Sequence, residues 1–165
     1  MLHQKNRGGG FTIVELVIYS ALLLVFLLVL TQIFFSVLDV QLESEATSAV
    51  TQDGRYIVLR LIYDVSRATA MTTPAALGQQ TSNLVLTIGG TTYTYSVTGG
   101  ILSLNDGTTT QRLNSVGTTI SNPTFRRLGN VSGKNSVKFA FTVTSTGLRS
   151  IGNEVQDFAS TVGLR

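Results

Sequence analysis

Cysteine is absent from the 165 residues, and histidine occurs once, at His3. Without cysteine no disulfide and no thiolate site can form. That absence does not assign a compartment, because an exported domain can rely on packing alone. If the extreme N-terminus is removed, no histidine remains. His-based acid–base catalysis, the Cys–His nucleophile and most zinc sites are then excluded together. Charge is also scarce: Asp, Glu, Lys and Arg make up 13% of the chain, about half the usual quarter. Most of the deficit lies in one stretch near the N-terminus. Proline occurs only at Pro74 and Pro123.

No charged residue occurs from Leu16 to Leu38, 23 positions that are mostly Leu, Val, Ile and Phe. As a helix this run is about 35 Å long, enough for a hydrocarbon core of about 30 Å. A helix buried in a soluble core is apolar along one stripe, whereas this run is apolar all round. A membrane helix is therefore expected. An ordinary secretory signal has a shorter apolar run and then a small-residue cleavage site. Here Thr31-Gln32-Ile33-Phe34-Phe35 offers no Ala-x-Ala pattern, so the helix is expected to stay on the mature protein. Lys5 and Arg7 precede the span, and Asp39, Glu43, Glu45 and Asp53 follow it. The positive-inside rule then places the N-terminus in the cytoplasm and the remaining domain outside.

The junction reads Gly8-Gly9-Gly10-Phe11-Thr12-Ile13-Val14-Glu15-Leu16. The glycines leave an accessible backbone that a protease can grip, or a flexible hinge before an anchor. They are not a phosphate loop, because no GxxxxGK[ST] pattern is present. Glu15 is costly at the edge of a membrane span, and such residues are usually functional. A glutamate snorkelling at the headgroups is the plainer alternative. A cut after Gly10 would make Phe11 a new N-terminus with a positive amine, and Glu15 would lie one helical turn further on. A helix N-terminus favours negative charge by about 0.3–1 kcal/mol. The carboxylate can also pair with the amine of a neighbouring subunit, offsetting the desolvation of both charges and fixing axial register.

Gly10-Phe11-Thr12-x-x-Glu15, behind a basic leader and ahead of a long apolar run, resembles the type IV prepilin signal. The resemblance implies cleavage between Gly10 and Phe11 by a membrane aspartic peptidase (prepilin peptidase). It further implies N-methylation of Phe11 and an assembly role for Glu15. Arg60-Leu61-Ile62-Tyr63-Asp64-Val65-Ser66-Arg67-Ala68 is similar to the helix ending of minor pilins of the PilW type and of J-type pseudopilins of type II secretion. Phe158-Ala159-Ser160-Thr161-Val162-Gly163-Leu164-Arg165 resembles the terminal strand of the same group. Two departures point away from a major pilin: no proline near Thr31-Gln32-Ile33, and no cysteine pair for a C-terminal disulfide.

Beyond the span, Ile57, Leu61 and Val65 recur every four residues, with Val58 and Ile62 alongside, as on an amphipathic helix packed against a sheet. Gly54 costs about 1 kcal/mol relative to Ala inside a helix; it marks a bend, or segment 43–54 is loosely wound. Pro74 ends the helix by residue 73. After it the pattern changes to period two. Asn83–Ile88 and Thr91–Val97 flank Gly89-Gly90, a hairpin signal. Ile101–Leu104 and Thr108–Leu113 flank the turn Asn105-Asp106-Gly107. Ser136–Thr144 alternates Val137, Phe139, Phe141 and Val143 against Lys138, and Val155–Val162 reads as a final strand. Pro123 demotes part of Val116–Arg127 to an edge or loop. The expected fold is α+β, a long N-terminal helix on a C-terminal antiparallel sheet. Its expected parts are a leader over 1–10, a transmembrane and assembly helix over 11–38, a helix continuation over 39–73 and a sheet domain over 74–165.

Sites for chemistry are few. Asn105-Asp106-Gly107 reads as a turn, since an EF-hand needs a longer run of carboxylates. Glu154 and Asp157 would face opposite ways in a strand and make no catalytic pair. Asn130-Val131-Ser132 matches a glycosylation sequon. From residue 81 onward seven basic residues stand against three acidic ones, and Arg126-Arg127 beside Phe125 is a candidate nucleic-acid contact or a solvated basic loop.

No catalytic residue, metal or cofactor is expected. The expected function is a non-catalytic minor pilin or pseudopilin in a type IV pilus, a secretion pseudopilus or a DNA-uptake (competence) pilus. Its partners would be prepilin peptidase, other pilin subunits, the inner-membrane assembly machinery and the lipid bilayer. Its locations would be the cytoplasmic membrane and then the filament at the cell surface or in the periplasm. The alternatives are an anchored domain binding DNA or an exported substrate through a basic surface, an anchored enzyme, and an anchor that is never cleaved.

Overall fold

The computed structural model describes residues 12–130, 133–147 and 152–165. Thr12 leads into one α-helix, α1 (Ile13–Arg67). Among the described residues nine strands follow: β1 (Ala70–Thr73), β2 (Gln80–Thr81), β3 (Leu84–Ile88), β4 (Thr91–Thr98), β5 (Ile101–Asn105), β6 (Thr110–Arg112), β7 (Thr118–Leu128), β8 (Ser136–Ser145) and β9 (Val155–Gly163). All pairings are antiparallel. One sheet has the order β1-β3-β4-β5-β6 and the other β2-β7-β8-β9. The fold is thus α+β, with a long N-terminal apolar helix packed on antiparallel sheets, and the single expected sheet is two.

The chain divides into two units, the first ending at Val40 and the second running Gln41–Arg165. In the first, every described residue except Glu15 is exposed. In the second, α1 buries Ala46, Val50, Gly54, Ile57, Leu61, Asp64 and Val65. These recur at spacings of three and four, which places them on one helical face. Leu84, Leu86 and Tyr95 of the first sheet and Phe125, Phe139 and Val143 of the second share that core. A side chain so buried contributes about 1.5–3 kcal/mol.

The helix stops at Arg67, short of residue 73. Ala70–Thr73 is not helix but strand β1, paired with β3, so the sheet domain begins before Pro74. Segment 43–54 is not loosely wound: the helix is continuous through Gly54. A Cβ there would lie 2.0 Å from Cζ of Phe158 on β9. The glycine makes room for an aromatic ring, which itself stacks on Phe141 at 5.6 Å between centroids.

Gly89-Gly90 turns β3 into β4, with Ile88 opposite Thr91 and φ of 58° and 85°. Positive φ at both central residues is the type I′ hairpin, which matches the twist of paired strands. Gly99-Gly100 repeats the device between β4 and β5, with φ of 58° and 77°. Pro123 does leave part of its segment at an edge: β7 pairs with β8 over 118–121 and 124–128, Asn122 and Pro123 have no partner there, and β2 flanks β7 only at Phe125 and Arg126. The register slips between Ser121 and Thr124, and Asn122 has φ 51°. This bulge absorbs a residue with no N–H to give the ladder.

The two sheets meet at buried Asn114. Its Oδ1 accepts from Leu102 N at 2.9 Å, and its Nδ2 donates to Thr118 O at 2.7 Å. Asp53 on α1 ties the helix to the same corner by accepting from Ser115 N and Oγ (2.8 and 2.7 Å) and from the Thr118 hydroxyl.

Candidate functional site

Thr12, Ile13, Val14 and Glu15 form the start of α1, and their order T-x-x-E is the capping-box pattern. Thr12 Oγ1 accepts a hydrogen bond from Glu15 N at 3.2 Å, and Thr12 O accepts from Leu16 N at 3.1 Å. Thr12 is therefore the N-cap and Glu15 the third helical residue, where a carboxylate faces the positive end of the helix dipole. Tyr19, one turn on, donates its hydroxyl to Glu15 Oε1 at 3.1 Å. The acid is half-buried among exposed apolar neighbours. Gly10, Phe11, Lys5 and Arg7 lie outside the described residues.

From Leu16 onward the helix presents apolar side chains on every face, with Leu16 65% and Phe26 58% exposed. Its most apolar window is wholly unburied, and the helix is long and apolar enough to cross a membrane. The hydroxyls within it close on the helix itself: Ser20 Oγ donates to Val17 O at 2.9 Å and Thr31 Oγ1 to Leu27 O at 2.8 Å. That matters in a hydrocarbon medium, where an unpaired donor has no water to meet.

The structure separates Arg126 from Arg127. Both lie on β7, and successive strand residues face opposite ways. Arg126 is exposed and sits opposite Lys138 of β8. Arg127 sits opposite buried Val137, and its guanidinium donates through one terminal nitrogen to the carbonyl of Ala75 at 2.6 Å. Phe125, the aromatic neighbour a base could stack on, is 2% exposed and belongs to the core.

Other titratable groups are held as structure. Asp64 is buried, pairs with Arg60 Nε at 2.9 Å and accepts the Tyr95 hydroxyl. Burial first, and then the hydrogen bond to Asp64, pushes Tyr95 far above the usual tyrosine range. Asp106 closes its turn by accepting from the backbone of Thr109 and Thr108, at 2.7 and 3.0 Å, and these bonds hold its carboxyl below the usual range. Asp157 accepts from Thr142 Oγ1 at 2.6 Å, while Glu154 precedes β9. Among the described residues no three His, Cys, Asp or Glu side chains gather as metal ligands.

The Thr12 cap went unread, although T-x-x-E signals it; the contact of buried Asp64 with Tyr95 carries no such signal, since the two are 31 residues apart and meet only through the fold. Comparison with protein families, curated proteins and solved structures returns no match.

Proposed function

We propose that this chain is a non-catalytic minor pilin or pseudopilin, a subunit of a type IV pilus-like, secretion or DNA-uptake filament. One observation carries the reading. A single helix has an all-round apolar, unburied first half that opens on a capped turn bearing Glu15, and a second half that buries one stripe under two sheets. A plain membrane anchor has no need of an acid in its first turn. A subunit that docks on a neighbour's N-terminal amine does.

In this reading prepilin peptidase cuts between Gly10 and Phe11, and Phe11 is N-methylated. The helix rests in the cytoplasmic membrane with its N-terminus cytoplasmic and the sheet domain outside. The assembly machinery then draws it into a bundle. The bilayer and the bundle both cover apolar surface, at about 25 cal/mol per Å². Transfer between them is therefore near balance, and Glu15 supplies the selectivity: its carboxylate seeks a cationic partner that only an adjacent subunit offers. Reading the outer domain as a nucleic-acid binder through Arg126-Arg127 loses support, because the two side chains face opposite sides of β7.

Intact-mass and N-terminal peptide spectrometry, on protein from cells with their own peptidase, tests the reading. A chain beginning at Phe11 with one added methyl group is expected. A chain still beginning at Met1 would overturn it. Glu15→Val should leave processing and membrane insertion intact while removing the subunit from sheared filaments.

A further inference from the structure

Arg127 is held at five points. Its backbone N donates to Gln79 O at 3.1 Å, and its carbonyl accepts from Gly78 N at 2.8 Å. On the side chain, Nη1 reaches Ala75 O at 2.6 Å, with Met71 O and Pro74 O each at 3.5 Å. The guanidinium is thus fixed before any ligand arrives. Its Nε–H is buried and has no acceptor among the described residues. A buried donor left unpaired costs about 1–3 kcal/mol, and one in a native fold calls for an explanation.

Arg127 lines a cavity of about 330 Å³ together with Lys134, Asn135, Leu164 and Arg165. That volume suits a small ligand. Lys134 and Arg165 are exposed, and none of the three cations meets a carboxylate among the described residues. Three basic residues thus line one hollow, which favours an anion in it. The Nε and Nη2 edge of a guanidinium is a planar fork that takes two oxygens of one oxyanion.

We propose that this cavity, between the start of β1, the end of β7 and the chain beyond β9, binds phosphate, either inorganic or as the terminal group of a phosphomonoester. Arg127 supplies the fixed fork, and Lys134 and Arg165 supply charge. Phosphate is favoured over a carboxylate because it carries about −1.5 to −2 charges near neutral pH, closer to the three cations facing it. The site is distinct from the assembly role of Glu15 and stands or falls apart from it.

The test is calorimetric titration of the full chain in detergent with inorganic phosphate at low salt, alongside acetate. Saturable one-to-one binding of phosphate is expected, weaker by about tenfold in Lys134→Ala and again in Arg165→Ala. Both residues are exposed, so the melting temperature should not move. Arg126→Ala, on the opposite face of β7, should bind as the parent does. Arg127→Lys keeps the charge and loses the fork, and should abolish saturation. No heat above dilution, equal weakening by Arg126→Ala, or acetate binding as tight as phosphate would each overturn the proposal.

Discussion

Gly54 and Phe158 are the residue pair whose logic is least visible from either alone. A glycine inside a helix reads as a weakness, and here it is a socket for an aromatic ring that arrives from another element. Gly54→Ala should therefore destabilise the domain by about 1–3 kcal/mol, as overpacking does, despite the better helix propensity of alanine. The combination with Phe158→Ala should cost less than the sum of the two single changes in chemical denaturation. Tyr95→Phe removes the hydroxyl that Asp64 accepts and should cost about 1–2 kcal/mol at neutral pH. The sign of its pH dependence follows from the raised ionisation of Tyr95. The folded state holds the phenol protonated beyond the unfolded value of about 10. The stability it contributes is complete below that value and is lost as pH rises above it. Denaturation curves of Tyr95→Phe should therefore lack one component of the alkaline decline of the parent, the difference appearing only above about pH 10.

Elements were legible where period and turn chemistry agreed. The 3.6-residue stripe at Ile57, Leu61 and Val65 and the alternation of Val137, Phe139, Phe141 and Val143 both name the faces that are buried. Leu61→Ala, at 0% exposure, should lower stability by about 2–5 kcal/mol, a loss readable as a fall in melting temperature. Gly99-Gly100 carries the same hairpin signal as Gly89-Gly90 but went unread, and only the structure brought it out. Pro123 does break the ladder, in a bulge on the stretch of β7 that pairs on one side only, but nothing local announces that the strand resumes at Thr124. That hidden resumption left Arg126 and Arg127 as a loop pair. Once the segment is a strand, period two alone sends the two side chains to opposite faces. The end of α1 escaped for a related reason: Ala70–Thr73 has no alternation of its own and becomes strand only by pairing with β3.

At the scale of the whole chain, the two units demand different solvents. The fragment Gln41–Arg165 carries the buried stripe and both sheets, and should stay soluble without detergent. The full chain should partition into membranes or micelles, and a sedimentation assay with and without detergent separates the two outcomes. The sequence made this division plain at the change from uncharged to acidic after Leu38. What it left hidden is the order of events implied by the socket at Gly54. Phe158 fills it, and Thr51 Oγ1 meets Gln156 Oε1 at 3.4 Å across 105 positions of chain. Contacts so distant in sequence form late and slowly. The socket at Gly54 is thus the last part of the buried stripe of α1 to be closed, after the strands from β1 to β8 have been made. Nascent chains stalled ahead of Val155 should remain open to protease around Thr51 and Gly54, and only those long enough to include β9 should become resistant there. The subunit carries its own timer: its first-made helix stays incompletely covered until one of its last-made strands closes over it.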